Sequence, residues 1–169
     1  MDKMNFVKFS LIFCSFFILS NIKAQNNFIK TTAYFGILHP LVSVSSQETV
    51  VNFRDFYQVG FPFGVNFWKT SQTGFSVEII PFIKSEGGVS KMNNVLFHPG
   101  LLFDVGKGFK IATRLAFETA GRYGVTPVFT KTFYKAKNNS YYISLGLPAR
   151  FGNDKPGSIG SALQIGTAF

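Results

Sequence analysis

The chain has 169 residues, 46% of them hydrophobic, and a formal net charge of +9. That length suffices for one domain with its own core, while a single cysteine, Cys14, excludes an intramolecular disulfide and a thiolate metal cluster. Lys and Arg occur singly rather than in a patch or stripe, a distribution that argues against a nucleic-acid partner.

The first segment reads as a leader. Lys3 and Lys8 precede an apolar run from Phe9 to Leu19, followed by Ser20, Asn21, Ile22, Lys23 and Ala24. This is the three-part pattern of a secretory signal peptide, with an apolar stretch too short to span a bilayer comfortably. Residues 1–24 are therefore expected to be a cleaved signal peptide and 25–169 the working domain. Cys14 lies inside the leader, and Phe13 before it is too bulky for a lipoprotein cleavage site. Removing the leader takes away Lys3, Lys8, Lys23 and Asp2 and leaves 14 basic and 7 acidic residues. Cations scattered near turns suit anionic headgroups at a bilayer edge, and they equally suit a generally solvated surface.

After Gln25 no segment has helical periodicity. Phe, Val, Ile, Thr and Tyr alternate with other residues between clusters of Gly, Asn, Ser and Lys, which predicts an all-β domain. Eight strands are predicted: Phe28–Leu41, Val51–Trp68, Phe75–Lys84, Asn94–Val105, Phe109–Ala120, Tyr123–Tyr134, Ser140–Phe151 and Ser158–Phe169. Eight is an even number, as a closed up-and-down bacterial barrel needs, and about ten residues per tilted strand cross a bilayer.

The fifth segment alternates most clearly. Phe109, Ile111, Leu115 and Phe117 share one parity, and Lys110, Arg114 and Glu118 share the other. The seventh sets Tyr141, Ile143, Leu145, Leu147 and Phe151 against Tyr142, Ser144, Gly146 and Arg150. The eighth sets Ile159, Leu163, Ile165 and Phe169 against Gly160, Ala162, Gln164, Gly166 and Ala168. A soluble barrel would bury the apolar set, but the other set is too rich in charge, amide and glycine to form a dry core. The apolar face is thus predicted to meet lipid.

Three short turns, near Ser71, Lys107 and Lys137, keep this parity. They would place Phe67 opposite Phe75, Val105 opposite Phe109, Asp104 opposite Lys110, Phe133 opposite Tyr141 and Tyr134 opposite Ser140. They also bring Phe67, Trp68, Phe75, Phe103, Phe109, Phe133, Tyr134, Tyr141, Tyr142 and Phe169 toward one end, as an aromatic girdle at a membrane interface. Val42–Val50, Ser85–Asn93, Gly121–Arg122 and Gly152–Gly157 are then the external connections, the first two moderately long. Two features resist the scheme. Six prolines, Pro40, Pro62, Pro81, Pro99, Pro127 and Pro148, fall within predicted strands, where each removes a ladder donor, so bulges or strand ends are expected there. Lys131 has lipid-facing parity and must snorkel or sit beyond a bulge after Pro127.

The polar residues assigned to the lumen are Glu78, His98, Asp104, Lys110, Arg114, Glu118, Arg150 and Gln164, as a salt-bridged filling of a narrow barrel. No catalytic motif surrounds His39 or His98, each followed by proline. The glycine stretches lack phosphate-loop spacing, and two distant histidines leave no metal signature. Catalytic residues, cofactor and metal are therefore all expected to be absent.

Through alternation, length and the terminal Phe169, residues 25–169 resemble the small eight-stranded outer-membrane barrels of the OmpA, OmpX and OmpW type. The resemblance implies an eight-stranded antiparallel transmembrane β-barrel in the outer membrane, with lipid as its surroundings. It also implies recognition by the barrel-assembly machinery through Leu163, Ile165, Thr167 and Phe169. Such proteins act as structural elements, adhesins, narrow conduits or lipid-modifying enzymes. The expected role is noncatalytic: structural, interaction or limited small-molecule transport. The rivals are a lipid-modifying barrel using His98 or Glu78, and a soluble secreted barrel binding an apolar ligand.

Overall fold

The computed structural model describes residues 29–54, 56–152 and 155–169. The predicted leader, and the start of the first strand at Phe28, lie outside the described residues. Period-two sequences form strands whose side chains point alternately to the two faces. Twelve are formed among the described residues: β1 (Lys30–Ser45), β2 (Thr49–Val51), β3 (Tyr57–Gly60), β4 (Phe63–Trp68), β5 (Thr73–Glu86), β6 (Val89–Phe97), β7 (Gly100–Gly106), β8 (Phe109–Glu118), β9 (Tyr123–Lys135), β10 (Ser140–Gly146), β11 (Ala149–Phe151) and β12 (Ser158–Ala168).

All pairings are antiparallel and follow chain order, up and down. β12 returns to β1 in a long register from Tyr34 opposite Ala168 to Ser45 opposite Ser158, which closes the sheet into a ring. The ring passes through eight strands, β1–β4–β5–β7–β8–β9–β10–β12. Closure leaves the ladder donors of these strands facing a partner on both sides.

Twelve strands stand where the sequence predicts eight, chiefly for a covalent reason. Pro62 separates β3 from β4, Pro99 separates β6 from β7, and Pro148 separates β10 from β11. Each lacks the N–H that would continue its ladder. Their carbonyls still serve the wall: Gly36 N–H donates to Pro62 O (2.9 Å), Leu115 N–H to Pro99 O (2.8 Å) and Gly160 N–H to Pro148 O (2.8 Å). Pro81 and Pro127 stay inside β5 and β9, and Pro40 sits at a register shift in β1.

β2 is set off by Asn52, a buried amide that takes the place of a strand backbone. Its Nδ2 donates to Pro40 O and Gln58 O, both at 2.8 Å, and its Oδ1 accepts from Gln58 N–H at 2.7 Å. The chain leaves the wall after Asn52 and re-enters it at β3.

Two predicted external loops are corrected. Most of Val42–Val50 is hairpin, with β1 reaching Ser45 and β2 starting at Thr49. Ser85–Asn93 is also hairpin, turning on Gly87 and Gly88 at φ 57° and 78°, the left-handed pair a two-residue turn requires. Both projections lie at the end opposite the Ser71, Lys107 and Lys137 turns; it is called the upper end below.

At the lower end, Phe67 opposes Phe75 and Asp104 opposes Lys110, as predicted. Two registers slip. Gly106, not Val105, faces Phe109, and Tyr134, not Phe133, faces Tyr141. A bulge in each hairpin absorbs one residue, because the strands must match their outer neighbours as well as their own turn. Phe75, Phe103, Phe109, Phe133, Tyr134, Tyr141 and Phe169 are exposed on the outer face. Trp68 and Tyr142 are instead buried inside the ring, which corrects their place in the girdle. Lys131 remains on the outer parity and snorkels: its Nζ lies 3.8 Å from the centre of the Phe109 ring and donates to Lys107 O at 2.8 Å.

Candidate functional site

The two faces of the wall are chemically opposite. On β8, Leu115 and Phe117 are 56% and 49% exposed, whereas Arg114 and Ala116 between and beside them are 6% and 0% exposed. The same reversal holds on β10, with Ile143 and Leu145 out and Tyr142 and Ser144 in. Polar atoms therefore gather in the lumen, where they must pair with one another.

They do so in one compact layer. Arg114 on β8 donates through Nη1 to Glu78 Oε1 on β5 at 2.6 Å, and through Nη2 to Tyr34 Oη (3.0 Å) and Ser76 Oγ (3.2 Å). His98 Nδ1 lies 3.0 Å from the same Glu78 oxygen. A carboxylate facing a guanidinium is an acceptor only, so Nδ1 carries the hydrogen. Gln164 on β12 donates to Tyr142 Oη on β10 at 2.8 Å, and the Tyr34 and Tyr142 rings meet edge to face with centroids 6.2 Å apart. Strands from around the whole ring thus meet at one level.

Glycine makes the layer fit. A Cβ on Gly64 would lie 2.5 Å from Tyr34 Oη, and one on Gly166 would overlap the Tyr142 hydroxyl. Below the layer, Trp68, Leu102, Ala112 and Val128 form an apolar cluster, leaving a lower pocket of only about 50 Å³. The lower lumen is plugged.

Above the layer lies a vestibule of about 800 Å³, open at the upper end and floored by Glu78, His98, Arg114 and Gln164. Its two sides differ. Leu38, Ile80, Phe82, Leu96 and Ala116 form an apolar arc. Above that arc, nearer the mouth, Arg150 donates to Glu118 Oε1 at 2.7 Å and Thr126 Oγ1 at 2.9 Å, and Asn94 donates to Glu118 Oε2 at 3.0 Å. Small inner residues on the other side, Gly146, Gly160 and Ala162, leave the space unfilled. A narrow ring was expected to be filled throughout; in this one the filling stops at the layer.

Six of the eight residues assigned to the lumen from sequence fall into two groups: Glu78, His98, Arg114 and Gln164 in the layer, and Glu118 and Arg150 on the vestibule wall. Asp104 and Lys110 join neither. Asp104 Oδ1 accepts from Gly106 N–H at 2.9 Å and caps its turn, and Lys110 Nζ lies 5.4 Å from the Trp68 ring at the lower mouth. Sequence reasoning missed Tyr34, Ser76, Asn94 and Thr126. All four carry inner-face parity, and the signal was available: Tyr34 stands between the outward Ala33 and Phe35 in the alternation of β1. In β12 Ile165 is exposed on the outer face, Leu163 is half-buried and Thr167 opposes Phe35 and Tyr141, and Phe169, just past the strand, is also exposed. No group of three or more His, Cys, Asp or Glu side chains that could hold a metal occurs among the described residues.

Comparison with known proteins adds little to this geometry. No protein family and no curated protein matches the sequence. One solved structure, described as "De novo design of transmembrane beta-barrels", superposes with a TM-score of 0.43 and 10% identity, covering 82% of this chain and 93% of that one. A score at that level carries no argument, so the assignment rests on where the residues face.

Proposed function

We propose that the protein is an integral outer-membrane β-barrel with a noncatalytic role: structural, interactive, or limited passage of small molecules. The observation that carries this reading is the inversion of the wall. Among the described residues, thirty-two large hydrophobic side chains are exposed, most of them on the outer parity of the strands. Soluble monomers rarely present a contiguous apolar surface of that extent. Buried inside instead are Glu78, Arg114, His98, Arg150 and Gln164. Lipid outside and a hydrogen-bonded lumen inside satisfy both surfaces. The same inversion weighs against the soluble ligand-binding alternative.

The plug supports a limited conduit rather than an open one, because Trp68, Leu102, Ala112 and Val128 pack the lower lumen around a pocket of only about 50 Å³. The noncatalytic reading is supported by the occupation of the polar groups. Ser76 Oγ is shared by Arg114 and Tyr34, and Glu78 Oε1 by Arg114 and His98, so among the described residues of the layer no hydroxyl is held against the His98 imidazole as a nucleophile would be. Insertion guided by the outer face of β12 belongs to the same proposal. The test is membrane fractionation with gel mobility. The expected result is resistance to carbonate extraction and a mobility that changes on heating. A carbonate-soluble protein of unchanged mobility contradicts the proposal.

A further inference from the structure

We infer that the lower rim of the barrel docks on the phosphates of anionic phospholipids in the leaflet around that end. The inference rests on the membrane reading and adds to it a lipid class and a side of the bilayer.

The basic side chains are shared unevenly between the two ends. Lys30, Lys69, Lys107, Lys110, Lys131, Lys135 and Lys137 all belong to the lower end, and each of its three turns carries one of them. Lys30, Lys69, Lys107, Lys135 and Lys137 are exposed, and the half-buried Lys131 reaches the rim through its bond to Lys107 O at 2.8 Å. Asp104 is the one acidic side chain at this end among the described residues, and its Oδ1 caps the Gly106 turn. A carboxylate on Phe169 would be a second, still against seven cations. The upper end is mixed: Glu86 pairs with Lys84 at 2.8 Å, Glu118 pairs with Arg150 at 2.7 Å, and Glu48 stands in the turn between β1 and β2. Like charges gathered on one rim repel one another unless an anionic surface faces them.

Three features identify that surface as lipid. The first is height. Phe75, Phe103, Phe109, Phe133 and Tyr141 are exposed around the same end, and aromatic belts sit at headgroup level. Lys131 Nζ lies 3.8 Å from the centre of the Phe109 ring, so a cation and a belt ring share one level. The second is spread. Lys69, Lys107 and Lys137 occupy three different turns, between β4 and β5, β7 and β8, and β9 and β10, and so stand around the circumference instead of converging on one bound ion. The third is residue type. All seven cations are lysines, whereas the four arginines, Arg54, Arg114, Arg122 and Arg150, lie in the layer or the upper half. Arg114, Arg122 and Arg150 are held by directional hydrogen bonds to Glu78, Ser158 and Glu118. A flexible point charge suits phosphates that exchange and reorient, and lysines beside a bilayer are attracted to anionic headgroups. A soluble acidic macromolecule would meet the same lysines but would gain nothing from the aromatic belt among them.

The experiment reconstitutes the full chain in phosphatidylcholine vesicles with a trace of spin-labelled phosphatidylglycerol or, separately, spin-labelled phosphatidylcholine. Electron spin resonance separates lipid held at the protein surface from free lipid. At about 10 mM salt, phosphatidylglycerol should be preferred about fivefold, the factor that one lysine beside an anionic surface supplies. The preference should vanish near 1 M salt, as the screening length falls from about 30 Å to about 3 Å. K30Q/K107Q/K137Q, at three exposed lower positions, should lose most of it, and R54Q/K91Q/K155Q, at three exposed upper ones, should keep it. Equal association of the two lipids with the unmodified chain, or equal losses in the two triple variants, overturns the inference. So does binding of soluble polyglutamate that depends on the lower lysines when no lipid preference is seen, which would assign the rim to an acidic macromolecule. A carbonate-soluble protein would overturn the membrane reading itself. A carbonate-resistant, heat-modifiable protein without lipid preference would overturn this inference alone.

Discussion

The lower and upper halves of the lumen are walled by the same strands, yet one is closed and the other holds about 800 Å³. In the lower half, Tyr34, Trp68, Arg114, Tyr142 and Gln164 reach inward together, and glycines opposite them make room. In the upper half one arc is built of Gly146, Gly160 and Ala162, and nothing fills the space they vacate. The number of strands sets the diameter of a closed sheet, but side-chain volume at each level decides whether that diameter is a core or a chamber.

The largest expected effect lies in the closed half. R114A leaves Glu78 buried with only His98 beside it, and should destabilise the protein by about 3–5 kcal/mol, the usual cost of breaking a buried pair. Equilibrium unfolding in urea or guanidinium measures it. A loss below about 1 kcal/mol would show that the layer is hydrated and the two halves less different than described.

A matched pair of glycine substitutions tests the same contrast with one methyl group. G64A presses on the Tyr34 hydroxyl and the Val77 carbonyl, each 2.5 Å from the new carbon, and should cost about 1–3 kcal/mol by overpacking. G146A meets nothing closer than 3.6 Å and should be neutral or stabilising by about 0.4–1 kcal/mol. Equal effects at the two positions would break the comparison. Between these lies E118Q on the vestibule wall, where the Arg150 pair borders an open chamber; a loss of about 1 kcal/mol is expected, well short of that for R114A.

Much of the wall was legible in the sequence because a strand's alternation is local. Phe109 to Glu118 announces its two faces without reference to anything else, and the pairing across the Ser71 turn follows from its own residues. What was not legible depends on neighbours. The slip at Phe133 arises because β9 must match β8 as well as β10. Pro62, Pro99 and Pro148 break strands only where a missing donor meets a ladder position, while Pro81 and Pro127 are accommodated within β5 and β9. Trp68 and Tyr142 sit near turns, where a girdle is natural, but their even parity places them inside; position along the strand misled and parity was the better guide. For the site, parity identified the inner polar set. It gave no measure of volume, so the vestibule and the separation of Asp104 and Lys110 from the layer emerged only from the packing.

The central claim is that the apolar outer face meets lipid and the polar inner face does not. Spin labels at single cysteines replacing Leu115 on the outside of β8 and Ala162 in the vestibule, in protein reconstituted into vesicles and with Cys14 replaced, read this directly through collision with oxygen and with a water-soluble nickel chelate. The label at position 115 should be accessible to oxygen and shielded from nickel, and the label at 162 should show the reverse preference. Nickel access at position 115 equal to that at 162 would place water on the outer face and contradict the account.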